Sequence, residues 1–316
     1  MFSNQYDNAG KRRRISHNTL LKEENSIKLN APPLLMLLVL AVIFVQPIAA
    51  VPYAPNQTIN HGGTLSSEKM GHSVAMYDTL MAMGAANHRT SSSCANVGKV
   101  YIFEYSASSG NWSYVTTLSA SDASCSQRFG ADLSMSATHL AISSISSSTP
   151  AQSKGIYVFS TSNWTQIAKI TTPSGSSLTD LFGFSVTTFG AYVIAGAHLG
   201  DDRGLSSGGA YVFKWDSGNS NYAQTQSLHA TDAVNAYVGD QFGYSVSMHG
   251  EYLAISSPKD SPSGYETGSV YMFVFNGTHW DQDAKIQASD GAGGDNFGAC
   301  VSVSTLTAPM VLVGAN

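Results

Sequence analysis

The chain has 316 residues, of which 43% are hydrophobic and only 12% are charged, and its formal net charge is −5. The charge is unevenly divided, because residues 1–30 hold six basic and three acidic side chains while the remainder holds 10 basic and 18 acidic ones. An acidic and sparsely charged main part is unsuited to binding nucleic acid, so the composition argues against that class of function.

The N-terminal segment predicts in which cellular compartment the rest of the chain lies. Residues 1–30 are predicted to be a disordered, basic, cytoplasmic tail, and an uninterrupted apolar run follows from Leu34 to Val45. Residues 31–51 are long enough to cross a bilayer as a hydrophobic helix, which makes the chain a single-pass type II membrane protein with an uncleaved signal anchor. The alternative is a signal peptide cleaved near Ala50 and a secreted product. Because the basic residues stay in the cytoplasm, both interpretations place the rest of the chain outside the cell or in a lumen.

After a predicted linker at residues 52–69, one unit recurs along residues 70–316. Successive copies are 53 to 60 residues apart, and the chain ends within the fifth copy. The copies begin at Met70-Gly71, Phe129-Gly130, Phe182-Gly183, Phe242-Gly243 and Phe297-Gly298. A repeat of this length predicts an array of similar supersecondary units.

Each unit contains four short segments with the patterns of strands. The third places a tyrosine two residues before a phenylalanine, as at Tyr271 and Phe273, and the fourth begins with an aromatic residue, as at Trp280. Four antiparallel strands per repeat predict an all-β fold, in which the units are blades of a β-propeller. Four units and a truncated fifth predict an incomplete ring, which a partner chain or further C-terminal blades would have to close.

The Phe-Gly segments and the Gly-Ala segments, such as Gly196-Ala197 and the variant Ser257-Pro258, resemble FG-GAP repeats. These repeats form the N-terminal propeller of integrin α subunits, and the resemblance extends from Met70 to Asn316. It implies a recognition or adhesion role outside the cell. Copies that bind calcium carry an aspartate-rich loop between the first two strands, whereas connections such as residues 187–191 offer at most one carboxylate here. The sequence therefore predicts the calcium-free subtype, with no bound metal and no cofactor.

Three cysteines are present. Cys94 lies in the loop between the second and third strands of the first unit, and Cys125 lies in the connection to the next unit. Propeller topology brings these two loops to one face, so we predict a disulfide between them in an oxidising compartment. Cys300 occupies the first-strand position held by Ser185 and Ser245, which predicts a buried, unpaired thiol.

Four sequons for N-glycosylation follow the hydrophobic segment, at Asn56, Asn111, Asn163 and Asn276. The last three fall in connections between third and fourth strands, which predicts that glycans would lie together on one face, near the outer sheet edges. Unoccupied sequons in surface turns are the alternative.

The opposite face, which carries the loops between second and third strands and those between units, is the predicted ligand-binding face. The candidate residues are Asn87, His88, Arg89, His198, Asp201, Asp202, Arg203, Lys259, Asp260, Tyr265 and Glu266. Polar loops on a rigid scaffold are typical of binding sites, although solvated turns have the same composition.

The sequence contains no catalytic motif that stands apart from the repeat. We therefore expect a non-catalytic recognition or adhesion module, at the cell surface or secreted, that binds a protein or a glycan. Two alternatives remain: an accessory propeller of a larger extracellular enzyme whose catalytic domain is missing from this chain, and a structural surface-coat protein.

Overall fold

The computed structural model describes residue 59 and residues 68–146, 153–174, 176–232, 239–305 and 308–315. They belong to one compact unit that spans Asn56–Asn316. The predicted cytoplasmic tail, the hydrophobic segment at 31–51 and the sequon at Asn56 lie outside the described residues. None of the helical structure within these ranges is long and apolar enough to cross a membrane.

The fold is all-β, and the strands recur in the order that the repeat predicts. The first strands of the units are β1 (Val74–Tyr77), β5 (Phe129–Met135), β9 (Val186–Phe189), β13 (Val246–His249) and β17 (Cys300–Ser304). The second strands are β2 (Leu80–Ala85), β6 (His139–Ile145), β10 (Tyr192–Ala197), β14 (Tyr252–Ser257) and β18 (Met310–Gly314). The third strands are β3 (Lys99–Ser106), β7 (Ser153–Ser160), β11 (Gly209–Asp216) and β15 (Ser269–Phe275). The fourth strands are β4 (Asn111–Leu118), β8 (Gln166–Ile170), β12 (Asn221–Leu228) and β16 (Trp280–Ile286).

Four four-stranded antiparallel sheets, each with its strands in chain order, and a two-stranded sheet of β17 and β18 form the blades. This confirms the predicted all-β fold of four-stranded blades followed by a partial one. First and second strands are joined by tight turns; the turn between β9 and β10 places Gly190 at φ 57°, a conformation that glycine adopts without strain. The connections between first and second strands, which lack the aspartate-rich sequence of calcium-binding copies, are therefore short hairpin turns.

The hydrophobic core lies between neighbouring blades. In the second, third and fourth units, the Phe-Gly phenylalanine packs edge-on against the tyrosine and the phenylalanine of its own third strand; the Phe242 ring lies 5.3 Å from Tyr271 and 6.2 Å from Phe273. Phe242 belongs to the same core cluster as aliphatic residues of the preceding blade, among them Ile194 and Val212. Because every interface buries side chains from two blades, a single sheet would leave these apolar surfaces in water.

The glycines of the repeat let neighbouring blades approach closely. A Cβ atom added to Gly196 in the Gly-Ala segment would lie 1.9 Å from the carbonyl oxygen of Gly243 in the next Phe-Gly segment. The corresponding distance from Gly84 to the Gly130 carbonyl oxygen is 2.3 Å. The two glycines of the motif therefore meet across the blade interface, where no other residue fits.

Adjacent first strands are joined by hydrogen bonds from backbone N–H groups to side-chain oxygens of the preceding blade. The bonds run from Val186 to Asp132 (2.7 Å), Thr188 to Ser134 (2.9 Å), Val246 to Ser185 (3.1 Å), Met248 to Thr187 (3.1 Å), Val301 to Ser245 (3.1 Å) and Val303 to Ser247 (3.0 Å). We call this set the hydroxyl ladder. It supplies acceptors to N–H groups on the edge of each first strand that faces away from its own sheet.

The predicted burial of Cys300 is wrong, because this thiol is exposed. Ser185 and Ser245 are half-buried, because their hydroxyl groups accept hydrogen bonds from the first strand of the following blade. Cys300 holds the equivalent position in β17, and the described residues place no further first strand beside it.

Candidate ligand-binding face

The loops between second and third strands and the connections between blades emerge at the same end of the sheets, because neighbouring strands run antiparallel. We call this end the loop face. The hairpins between first and second strands and between third and fourth strands form the opposite end, called the hairpin face. Asn111, Asn163 and Asn276 are exposed on the hairpin face, as expected from their positions between third and fourth strands, although Asn111 is already the first residue of β4.

The first loop of the loop face is bridged to the next blade. Cys94 and Cys125 form a disulfide, with Cα atoms 4.9 Å apart. Backbone hydrogen bonds from Ser126 to Ala95 (2.8 Å) and from Arg128 to Asn96 (2.7 Å) continue the contact. The loop is therefore held against the neighbouring blade at several consecutive residues.

The third-strand tyrosine of each unit carries its hydroxyl group to a carboxylate at the base of the loop face. In the fourth unit, the Tyr271 hydroxyl oxygen lies 2.9 Å from an oxygen of Asp232 and 3.2 Å from an oxygen of Asp260, so both carboxylates are within reach of its single proton. The Lys285 ammonium group lies 2.6 Å from both carboxylates. Burial alone would lower the pKa of Lys285, but its hydrogen bonds to the two aspartates raise it, so this lysine stays charged. The cluster ties the connection between blades, the loop and two strands together.

The second unit repeats this arrangement. The Tyr157 hydroxyl donates to Asp122 at 2.6 Å, and Lys169 lies 2.6 Å from the other oxygen of that carboxylate. The side-chain amide of Gln127 donates to the tyrosine oxygen at 2.6 Å. Burial works to raise the pKa of Asp122, but the hydrogen bonds from Lys169 and Tyr157 outweigh it, so the pKa falls below its ordinary value. The aspartate that recurs after the fourth strand thus fixes the tyrosine of the following blade.

In the third unit a histidine replaces the lysine. Asp202 accepts a hydrogen bond from the Tyr211 hydroxyl at 3.0 Å, and His229 Nε2 lies 3.0 Å from the same carboxylate. The connection from the second to the third unit has no aspartate at the position after the fourth strand where other units carry one. The Ser176 hydroxyl of this connection lies 3.0 Å from the Tyr211 hydroxyl instead. The loop residue Asp202 therefore takes over the role that the connection fills elsewhere.

In the first unit, the carboxylate that accepts the hydrogen bond of the tyrosine belongs to a glutamate. Glu68 accepts from the Tyr101 hydroxyl at 3.5 Å, and His88 Nδ1 lies 2.9 Å from its other oxygen. Burial and the negative charge of Glu68 raise the pKa of Tyr101 to about 12, so the phenol remains a donor. Burial is also the main cause that lowers the pKa of His88. We call these four groups the tyrosine clusters.

The predicted ligand-face residues are therefore not equivalent. Arg89, Asp201, Asp202, Arg203 and Tyr265 are exposed, with 68% of the Tyr265 surface accessible, whereas Asn87, His88, Lys259 and Glu266 are half-buried and Asp260 is buried. Lys259 pairs with Glu266, while His88, Asp202 and Asp260 belong to tyrosine clusters. Asp201 accepts a hydrogen bond from the Ser206 backbone at 2.7 Å. The exposed residues, and not the whole predicted set, form the accessible surface.

His198 is buried, so it is not accessible on the loop face. Its ring lies 4.2 Å from Phe184 and 5.1 Å from Tyr244, and its Nδ1 atom has no hydrogen-bond partner among the described residues. Burial lowers the pKa of His198 to about 4, so the imidazole is neutral near pH 7. It stands where the repeat motif has proline, and it fills the space between two aromatic side chains.

A cleft opens at the next equivalent interface. Pro258 takes the place of His198 there and Ala299 takes the place of Tyr244, so the second ring is missing. The resulting cleft has a volume of about 190 Å³ and is also lined by Gln241, Tyr244, Lys259 and Asn296. It combines one aromatic ring, one cation and two amides.

Part of the tyrosine clusters could have been recognised from the sequence. An acidic or amide residue stands two positions before each Phe-Gly or Met-Gly pair, at Glu68, Gln127, Asp180, Asp240 and Asp295. Burial, followed by the charge of Asp260, raises the pKa of Asp240 to about 6.

Within the described ranges, no group of three or more His, Cys, Asp or Glu side chains has the arrangement of a metal site.

A sequence profile of the FG-GAP repeat family matches three segments of the chain, at residues 164–213, 222–275 and 280–316. No curated protein matches. Among solved structures, the chain is similar to a crystal structure from Bacteroides uniformis ATCC 8492, of a protein provisionally assigned as a 6-phosphogluconolactonase. The sequences are 11% identical, the TM-score is 0.43, and the match covers 70% of this chain and 57% of that one.

Proposed function

We propose, from the FG-GAP repeats that this chain carries over residues 164–316, that the protein is a non-catalytic recognition or adhesion module that binds a protein or a glycan through its loop face. The observation that carries the proposal is the contrast between the exposed tips of the loops and their fixed bases. Arg203 and Tyr265 are exposed, while the tyrosine clusters and the disulfide hold the strands and loops beneath them. A prearranged polar surface lowers the entropic cost of binding.

The chemistry of the tyrosine clusters also supports a role without catalysis. Their carboxylates are neutralised by lysines or hydrogen-bonded by tyrosines, and the pKa values of Asp122 and Asp232 lie below the ordinary value. Hydrogen bonds from Lys285 and Tyr271 cause this shift in Asp232 against the opposing effect of burial. A carboxylate stabilised in its charged form is a poor proton acceptor for catalysis at neutral pH.

The experiment is a binding screen with matched variants. The purified, fluorescently labelled protein is applied to a glycan array and to an array of extracellular protein domains. We expect Arg203→Ala or Tyr265→Ala to weaken the best hit at least about fivefold, as removal of an interface anchor does. Lys214→Ala removes one exposed cation from β11 and is the control. A hit that Lys214→Ala abolishes, and that both loop-face variants leave unchanged, would contradict the proposal.

We further propose that the repeats face the outside of the cell or a lumen, with residues 31–51 as a type II anchor. The disulfide between Cys94 and Cys125 supports an oxidising compartment. Expression of the full chain with a C-terminal tag tests this. A membrane-bound product whose tag is protease-accessible on intact cells supports the anchor. A product in the medium that begins near residue 51 supports secretion instead, and a tag protected in the cytoplasm contradicts both.

A further inference from the structure

The hairpin face contains a second opening, between the first two blades. It has a volume of about 370 Å³ and is lined by residues of the β1–β2 hairpin and of the connection after β7, among them Tyr77, Asp78, Leu80, Thr161 and Trp164. Glu104 of β3 also lines it. We call it the blade 1–2 cleft. It is separate from the loop face, because it lies at the other end of the sheets.

The cleft exists because two aromatic positions of the repeat are occupied here by smaller residues. At the interface of the third and fourth blades, Tyr192 packs against Phe275 at 5.5 Å and Trp280 at 6.4 Å. Leu80 stands at the position of Tyr192, at the start of the second strand, and Thr161 stands at the position of Phe275, two residues after the third-strand phenylalanine.

The interface of the second and third blades is also filled by rings. His139 begins the second strand there and lies 6.1 Å from both Trp215 and Tyr222. The blade 1–2 cleft keeps only the third ring of the group, Trp164, which is half-buried and, like Leu80, packs against the core cluster of the first two blades. The volume that two rings fill elsewhere is open beside Trp164.

The lining of the cleft is acidic and aromatic. Asp78 and Glu104 are exposed, and neither forms an ion pair among the described residues. The Tyr77 side chain is 44% exposed. The described residues that line the cleft include no lysine, arginine or histidine. Two carboxylates beside aromatic rings attract a cation that also has a flat or apolar part.

We propose that the blade 1–2 cleft binds the guanidinium end of an arginine side chain presented by a protein partner. A guanidinium group can stack on an aromatic face while its N–H groups reach carboxylates, which a compact ammonium ion cannot do in the same way. A pocket of this volume is at the lower end of ligand sites and suits one side chain with its hydration water. This site is independent of the recognition proposed for the loop face.

The test is a titration of the full-length protein with Nα-acetyl-argininamide, followed by calorimetry and tryptophan fluorescence. The neutral analogue Nα-acetyl-citrullinamide has nearly the same shape and serves as the ligand control, and methyl glucoside tests for a sugar site. We expect saturable binding of the arginine compound only, which weakens as salt is added because the attraction is between charges.

Two variants locate the site. Glu104→Gln removes one lining charge and should weaken binding roughly two- to fivefold, the effect of an exposed ion pair. Its control is Glu251→Gln, which removes an exposed carboxylate from the β13–β14 turn of the fourth blade. Leu80→Tyr restores the residue of the third unit and should abolish binding, with an unchanged melting temperature as the check of folding. The proposal would be overturned if the arginine compound did not bind saturably, if the citrulline compound bound equally well, or if only the glucoside bound. It would also be overturned if the Leu80→Tyr variant bound the arginine compound as tightly as wild type.

Discussion

Asp132 carries the most specific prediction, because it is the one carboxylate among the described oxygens of the hydroxyl ladder. Its carboxylate accepts hydrogen bonds from the backbone N–H groups of Val186 at 2.7 Å and Leu133 at 2.9 Å. The third and fourth units place Ser185 and Ser245 at the same position. Burial raises the pKa of Asp132 to about 6, against the opposing effect of these hydrogen bonds.

The direction of the stability effect follows from this pKa. Since the folded state holds the proton more tightly than the unfolded chain, its contribution to stability is present below about pH 4 and is lost as the pH rises through about 6. The rise from 3.8 to about 6 corresponds to about 3 kcal/mol. Asp132→Ser removes this penalty and keeps one acceptor, but it loses the second hydrogen bond, worth about 1 kcal/mol. We expect the variant to be more stable by about 1–2 kcal/mol at pH 8.

The measurement is urea unfolding of both proteins at several pH values between 4 and 8, followed by tryptophan fluorescence. The difference in the free energy of unfolding between variant and wild type should grow as the pH rises from 4 to 7. His198 titrates with the opposite sign, because its pKa is lowered to about 4, but it is present in both proteins and cancels in the difference. The reasoning would be refuted if this difference did not depend on pH. It would also be refuted if the stability of the variant relative to wild type were lower at pH 8 than at pH 4.

Four further outcomes are expected. Tyr271→Phe removes a hydroxyl group that donates its proton within a pair of carboxylates and should cost about 1.5–3 kcal/mol in urea unfolding; a loss below about 0.5 kcal/mol would contradict the role of the tyrosine cluster. Cys94→Ser opens a bridge that spans 31 residues and should cost about 3 kcal/mol, while a reductant should destabilise only the wild type. Gly196→Ala would place a Cβ atom 1.9 Å from the Gly243 carbonyl oxygen and should cost about 1–3 kcal/mol or more. Gly218→Ala meets only a side-chain atom, 3.2 Å away, and an equal loss in this control would argue against a backbone clash. Melting temperatures with calcium and with a chelator should agree within about 1 °C, and a shift of many degrees would contradict the calcium-free prediction.

The blade architecture could be predicted from the sequence because it depends on features that recur at a fixed spacing. The third-strand tyrosines lie in the predicted strands. Of the Phe-Gly and Met-Gly pairs, only Phe129-Gly130 lies within a first strand, and the other first strands begin three or four residues after the first residue of their pair. The disulfide between Cys94 and Cys125 was predicted from loop topology, and the structure contains it. By contrast, Cys300 was predicted to be buried from the repeat alone, and its burial depends on a neighbouring strand that the repeat does not specify.

The roles of the polar loop residues could not be predicted in the same way. Asp202 and Asp260 were placed on the ligand face because they lie in polar loops, yet both accept a hydrogen bond from a third-strand tyrosine. Asp232 reaches Tyr271 across 39 positions of the chain. A local sequence pattern does not reveal such a partner, because the contact exists only after two blades have packed.

The repeat therefore separates two kinds of position. Residues that conform to the repeat take part in contacts between blades. The Phe-Gly phenylalanines do so in the core, and the hydroxyl ladder does so between first strands. Open volume arises where a bulky residue of the repeat is replaced by a smaller one, at Ala299 on the loop face and at Leu80 and Thr161 on the hairpin face. Because blades that conform to the repeat fill their own interfaces, the binding that we propose would take place at these departures and at the exposed loop tips. Restoring the aromatic residue at one departure, as in Leu80→Tyr, should thus close the proposed binding surface while keeping a hydrophobic side chain at a position that packs against the core.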